Sequence, residues 1–187
     1  RSLTNTVNSV SFQPDLVWIK SRTPGATSHA LFNSVRLATK YLSSNTAGSE
    51  TTNANTLTAF NADGFSLGTD TTLVNANANS YVAWQWKESV TSGLDVVTYT
   101  GTLTGTAPPV AISHNLGVAP KLVISKALTP TGADTGGWFV WHASAGTGNF
   151  LRLNTTDQAN TISGAGGGTM IAPTSSVFYT PWVAGAN

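Results

Sequence analysis

The chain has 187 residues, of which only 9% are Asp, Glu, Lys or Arg, against about 25% in typical soluble domains; the net charge is +1 and there is no cysteine. Disulfide stapling and thiolate chemistry are therefore excluded. So is the basic stripe of a nucleic-acid binder, since basic and acidic residues run six to five over 1–93 and three to three over 94–187.

No apolar run approaches the length of a membrane-spanning helix, and no signal-peptide pattern follows Arg1. In chain order, 1–11 alternates small polar and apolar residues and reads as an exposed strand. The β-branched and aromatic run 16–19 follows Pro14 and predicts a strand, with proline at its start where a missing N–H is tolerated. Ser, Asn and Thr across 29–40 favour strand–turn–strand over a helix, and 43–55 reads as a surface loop. A brief strand over 57–60, a tight turn at NADG (61–64) and a strand over 65–68 come next. The clearest strand is YVAWQWK (81–87). Its period of two puts Val82, Trp84 and Trp86 on one face and Tyr81, Ala83 and Gln85 on the other. A linker is expected over 89–95, with further strands over 96–99, 110–113 and 177–179.

An internal repeat organises these elements. PDLVWIK (14–20) returns as PKLVISK (120–126), 106 residues later, and YLSSNT (41–46) returns as FLRLNT (150–155), 109 residues later. Extra residues in the second copy near 129–137 account for the difference. Trp138-Phe139-Val140-Trp141 stands where His29-Ala30-Leu31-Phe32 stood. The expectation is an all-β protein of two related antiparallel β-sandwich, jelly-roll-like units in tandem: 1–88, the linker 89–95, and 96–187. Each copy reads as incomplete at an end, so a piece of a longer polypeptide, or only the ordered part of one, is expected.

The blocks PDLVWIKSR, ALFNSVRLATKYLSSN, NADGFSLG and YVAWQWK, all within 12–87, resemble a repeat domain of unknown function in marine bacteriophage virion and tail-fibre-like proteins. That domain often lies beside concanavalin A-like or SPRY-like lectin sandwiches. The resemblance implies a phage particle and brings no catalytic residue with it. The second copy keeps the first strand and FLRLN but reads Ala143-Ser144-Ala145 in place of SVR.

Chemistry-bearing patterns are sparse. His29, His114 and His142 lack metal-ligand spacing, and no G-x-S-x-G occurs. A glycosidase needs two facing carboxylates. Asp63, Asp70, Asp134 and Asp157 read as turn residues, and Asp15, at a strand start, is replaced by Lys121 in the second copy. The glycine-rich GAGGGT (164–169) lacks the lysine of a phosphate-binding loop, and the Asn61-x-Asp63-Gly64 turn lacks the glutamate of a calcium loop. Of six tryptophans, Trp84, Trp86, Trp138, Trp141 and Trp182 could form a sugar-stacking surface or a core. Trp84 and Trp86, which share a face with Val82, read as core; Trp138, Trp141 and Trp182 are the candidate glycan contacts. Asn75, Asn77 and Asn79 alternate, and on a strand they would point together at a subunit interface; a polar loop is the other reading.

The expected function is a non-enzymatic virion structural protein: a fibre, capsid decoration or tail appendage on the particle surface. It would contact other virion proteins and form a homo-oligomer, trimer or higher, with no cofactor, metal, nucleic acid or membrane. The alternative is a carbohydrate-binding module recognising host surface glycans.

Overall fold

The computed structural model describes residues 1–6, 11–23, 25, 27–101, 110–130, 136–161 and 171–179. The protein is all-β, built of antiparallel sheets with two short 3₁₀ turns among the described residues. It divides into two compact units, Arg1–Ser44 with Glu50–Thr98 and Asn45–Ser49 with Tyr99–Asn187.

The first unit contains β1 (Ser2–Thr4), β2 (Leu16–Ser21), β3 (Ala30–Asn33), β4 (Lys40–Tyr41), β5 (Thr51–Thr52), β6 (Leu57–Asn61), β7 (Gly64–Leu67) and β8 (Tyr81–Trp86). They form a β1-β7-β6 sheet, a β3-β2-β8 sheet and a β4-β5 ladder. Strand alternation explains the core. Val17, Ile19 and Ser21 of β2 are buried, while Leu16, Trp18 and Lys20 on its other face are not. Val17 and Ile19 join Ala30 and Phe32 of β3, Leu57 of β6, Phe65 and Leu67 of β7, and Val74 in one cluster. Each large apolar side chain so buried contributes about 1.5–3 kcal/mol. Val74 is held there by Asp70, whose carboxylate accepts from Thr72 Oγ1 (2.9 Å), Leu73 N (2.7 Å) and Val74 N (2.8 Å). Burial alone would raise the Asp70 carboxyl, but these donors more than offset it and hold it below its ordinary value.

Between β3 and β4 lies a 3₁₀ turn, Ser34–Arg36, capped by Asn33 Oδ1, which accepts from Arg36 N at 2.9 Å. Arg36 is buried. Its guanidinium donates to Glu50 Oε2 (2.8 Å) and to the Leu31 carbonyl (3.0 Å), and its Nε has no partner. Burial pulls the Arg36 pKa down while Glu50 opposes that shift.

The second unit contains β9 (Ala111–Ser113), β10 (Leu122–Lys126), β11 (Trp138–His142), β12 (Asn149–Arg152), β13 (Asn160–Thr161) and β14 (Val177–Tyr179). Its sheets are β10-β11-β12-β13 and β14-β9. The repeat recurs as matching registers. Leu16 faces Asn33 as Leu122 faces His142; Lys40 faces Thr52 as Asn149 faces Thr161; Leu3 faces Phe65 as Ile112 faces Phe178. A second 3₁₀ turn, Ala143–Ala145, is capped by His142 Nδ1, which accepts from Ser144 N at 3.1 Å. His114 is buried; it accepts from Leu116 N at Nδ1, which leaves Nε2 to donate to the Thr174 carbonyl at 3.1 Å.

Several expectations are corrected. Within 1–11 only Ser2–Thr4 is strand, and 7–10 lie outside the described residues. The 43–55 loop contains β5, and 96–99 is not a strand. The segment expected as a linker is a turn closed by a Ser89–Leu94 bridge and lies in the first unit. The glycine-rich 164–168 stretch lies outside the described residues.

Candidate functional site

The most exposed aromatic surface of the first unit is the outer face of its β3-β2-β8 sheet. Trp18 of β2 sits directly opposite Trp84 of β8, and Leu16 opposite Trp86. Residues opposite one another share a face. Trp84 and Trp86 are 45% and 38% exposed, so the core assignment made for them from the sequence is wrong. The alternation separates the two faces of β8, and it is the Ala83 and Gln85 face that turns inward. The ladder decides: Val17 and Ile19 of the core stand opposite Gln85 and Ala83, so the small and polar face of β8 turns inward.

The rings on the outer face are fixed by one another. Trp18 packs edge-on against Trp84 (centroids 5.9 Å apart, 65° between planes) and against His29 (5.6 Å, 64°). Trp18 Nε1 donates to His29 Nδ1 at 2.8 Å. Partial burial, then the charge of Lys20, lowers the His29 pKa, which keeps Nδ1 an acceptor. Lys20 Nζ is itself tied to the Thr27 carbonyl at 2.9 Å.

Three carboxyl groups meet at the end of the same sheet. Asp15 accepts from Ser34 Oγ at one oxygen and from Glu88 N at the other, both at 2.8 Å. Glu88 hydrogen-bonds Asp95, which the 89–94 turn brings back beside it. Desolvation, that hydrogen bond, and repulsion from Asp95 and then Asp15 push Glu88 up to about 7. Asp15 was the one acid singled out from the sequence. Glu88 and Asp95 were missed because they were read as the edge of a linker, and no local signal places Glu88 beside a residue 73 positions earlier. Glycosidase carboxylates stand about 5–9.5 Å apart, with a substrate bond between them. Here Glu88 and Asp95 are bonded to each other and Asp15 is occupied by Ser34 and a backbone N–H. The trio ties the β2 start to the β8 end. Among the described residues no group of three His, Asp or Glu side chains is arranged to hold a metal ion.

The asparagine row also differs from expectation. The backbone over 71–80 is turn rather than strand, with Ala78 at φ 63°, so Asn75, Asn77 and Asn79 do not project as a one-sided row. Asn75 Nδ2 is bonded to the Gly68 carbonyl at 2.7 Å. Asn75 and Asn79 line a cavity of about 380 Å³ together with Leu3, Ile19, Tyr81 and Gln85, while Asn77 faces solvent. The polar-loop reading fits this geometry; the interface row does not.

The glycan contacts expected in the second unit are likewise corrected. Trp138 and Trp141 are each 5% exposed. The Trp138 indole donates to the Thr46 carbonyl and that of Trp141 to the Gly146 carbonyl, both at 3.0 Å. β11 is flanked by β10 and β12 and is buried on both faces through Trp141. An unbroken apolar run such as WFVW is the mark of such a strand. Arg152 lies over the Phe139 and Phe150 rings at 5.0 and 5.8 Å. Trp182 lies outside the described residues.

These features define an all-β protein of antiparallel sheets in which large apolar side chains of β8 and β10 reach solvent. A family model, the domain of unknown function DUF7483, matches residues 1–186, and the chain belongs to that family. No curated protein and no solved structure matches it.

Proposed function

We propose that this chain is a non-enzymatic structural protein of a bacteriophage particle: a fibre, capsid decoration or tail appendage at the particle surface. In this reading it comprises two related antiparallel β-sandwich units, jelly-roll-like, in tandem. Its partners are other virion proteins and further copies of itself, as a trimer or higher homo-oligomer. The phage assignment rests on the resemblance of the PDLVWIKSR-to-YVAWQWK blocks.

The observation that carries the assembly reading is the exposure of large apolar side chains on one strand of each unit. Trp84 and Trp86 on β8, and Leu122 and Ile124 on β10 (52% and 45% exposed), are large side chains that ordinary soluble surfaces keep scattered. A chain with so few charges favours covering such strands with a neighbour, because few charges need desolvation. Sedimentation of the purified chain is expected to give three or more copies, persisting on dilution to the order of 1 µM. A monomer at every concentration would sink the reading.

A second reading, a carbohydrate-binding surface for host glycans, is favoured by the exposure of Trp84 and Trp86 beside Trp18. Its contacts move to these rings from Trp138 and Trp141. Glycan-array binding lost in both Trp84→Ala and Trp86→Ala would support it, and an array blank for the native chain would remove it.

A further inference from the structure

The two units present complementary open strand edges. Among the described residues β8 is paired only with β2, and β10 only with β11. In an antiparallel ladder the N–H and C=O of successive residues point to alternate sides. The bond from Arg22 N to the Ser80 carbonyl fixes the even-numbered residues of β8 toward β2, so Tyr81, Ala83 and Gln85 direct their backbone groups to the open side. The bond from Ala143 N to the Lys121 carbonyl fixes the odd-numbered residues of β10 toward β11. Leu122 and Ile124 therefore direct theirs away from it.

The repeat shows which neighbour β10 is without among the described residues. β10 matches β2 in register, and β2 carries an antiparallel neighbour on the corresponding side: β8, through six residue pairs. With that neighbour Leu16 and Trp18 are half-buried, whereas their counterparts Leu122 and Ile124 are exposed. β10 contains no proline and no bulge, two devices that natural edges use against strand addition; Lys126 stands only at its end.

We propose that β10 of one copy pairs with the free side of β8 of a second copy, joining β3-β2-β8 of one chain to β10-β11-β12-β13 of the next. The pairing gives β10 an antiparallel neighbour, as β2 has, without displacing β8 from its own sheet. In an antiparallel ladder Ala83 then stands opposite an even-numbered residue of β10, so the row Trp18, Trp84 continues into Val123 or Ser125. The contact is heterologous, so repetition builds a ring or a fibre rather than a two-fold dimer. This deepens the assembly reading above and rests on it.

Proline substitutions test it, because each removes an N–H that faces the open side and leaves the internal ladder its bonds. Ile124→Pro blocks β10 and Ala83→Pro blocks β8, with the circular dichroism of the native chain as the folding control. Each variant alone is expected to be monomeric at concentrations where the native chain assembles. Mixed, they are expected to form a 1:1 dimer and nothing larger, because one intact β8 then meets one intact β10. Assembly of Ala83→Pro alone would mean β10 pairs with β10, and assembly of Ile124→Pro alone would mean β8 pairs with β8; either overturns the proposal. Native-size assembly in both variants overturns the edge contact while the assembly reading stands. A monomeric native chain overturns both.

Discussion

The strand–turn–strand over 16–52 and its counterpart over 122–161 keep the same registers and hold their turns by different means. In the first, a buried Arg36–Glu50 pair ties the 3₁₀ turn to the segment before β5. In the second, the matching positions are Ala145 and Ala159, so both members of the pair are gone together. There Arg152 instead lies across Phe139 and Phe150. The turn ends at Leu37 (φ 73°, ψ 168°) in the first unit and at Gly146 (φ 75°, ψ −178°) in the second. Only glycine adopts that conformation without strain. One backbone shape is thus reached with a charge pair and a strained leucine in one copy, and with neither in the other. The shape belongs to the ladder, and the pair is one local way to fill the space beneath the turn.

The largest expected effect comes from splitting the pair. Glu50→Ala leaves Arg36 buried and uncompensated and should cost about 3–5 kcal/mol in urea unfolding of the first unit. The double change to alanine at 36 and 50, which copies the second unit, should cost less than the two single changes summed; simple additivity would show that the pair is not a unit. Comparable in size, Trp138→Ala should cost about 3–5 kcal/mol, because it removes a buried ring and its bond to Thr46. Trp84→Ala, on the exposed face, should cost under about 1 kcal/mol. Equal losses at the two positions would erase the distinction between core and surface tryptophans.

The turn residues come next. Gly146→Leu should cost about 1–3 kcal/mol, and Leu37→Gly should gain about 1 kcal/mol once the entropy of the freer unfolded chain is subtracted. A loss at Leu37→Gly would locate packing value in a side chain that is exposed. The smallest effect is electrostatic. Burial and the neighbouring carboxylates push Glu88 up to about 7, above its ordinary 4.5, so between 4.5 and 7 the folded chain holds a proton that the unfolded chain releases. Its penalty on stability is full above pH 7, shrinks as the pH falls toward 4.5, and should amount to under about 1 kcal/mol at a solvent-screened site. Glu88→Gln should flatten stability between pH 4.5 and 7, and an unchanged slope would assign the titration elsewhere.

The strands β2, β8 and β11 and the repeat were legible because each is written in consecutive residues. What the sequence left open was mostly a matter of what lies opposite. The alternation of β8 separates its faces but does not say which turns inward; Val17 and Ile19, across the ladder, settle that. Trp138 and Trp141 looked like candidates for solvent until β10 and β12 were placed on either side of them. The asparagine row failed for another reason: a period of two means nothing without a strand beneath it, and Ala78 breaks that backbone. Arg36 was visible within the SVR block. Its meaning was not, since Glu50 lies fourteen residues on, in a stretch read as loop.

The short segment Asn45–Ser49 belongs to the second unit, although chain from the first flanks it on both sides. Its Thr46 carbonyl receives the Trp138 indole 92 positions later, and a side chain at Gly136 would strike the Ala47 carbonyl. On a ribosome, that segment emerges long before the strand that needs it. The second unit therefore cannot be finished from its own half of the message, and no single cut in the chain yields two whole pieces. Severed halves would have to find each other to restore the Trp138 bond, which makes this protein a natural subject for fragment complementation.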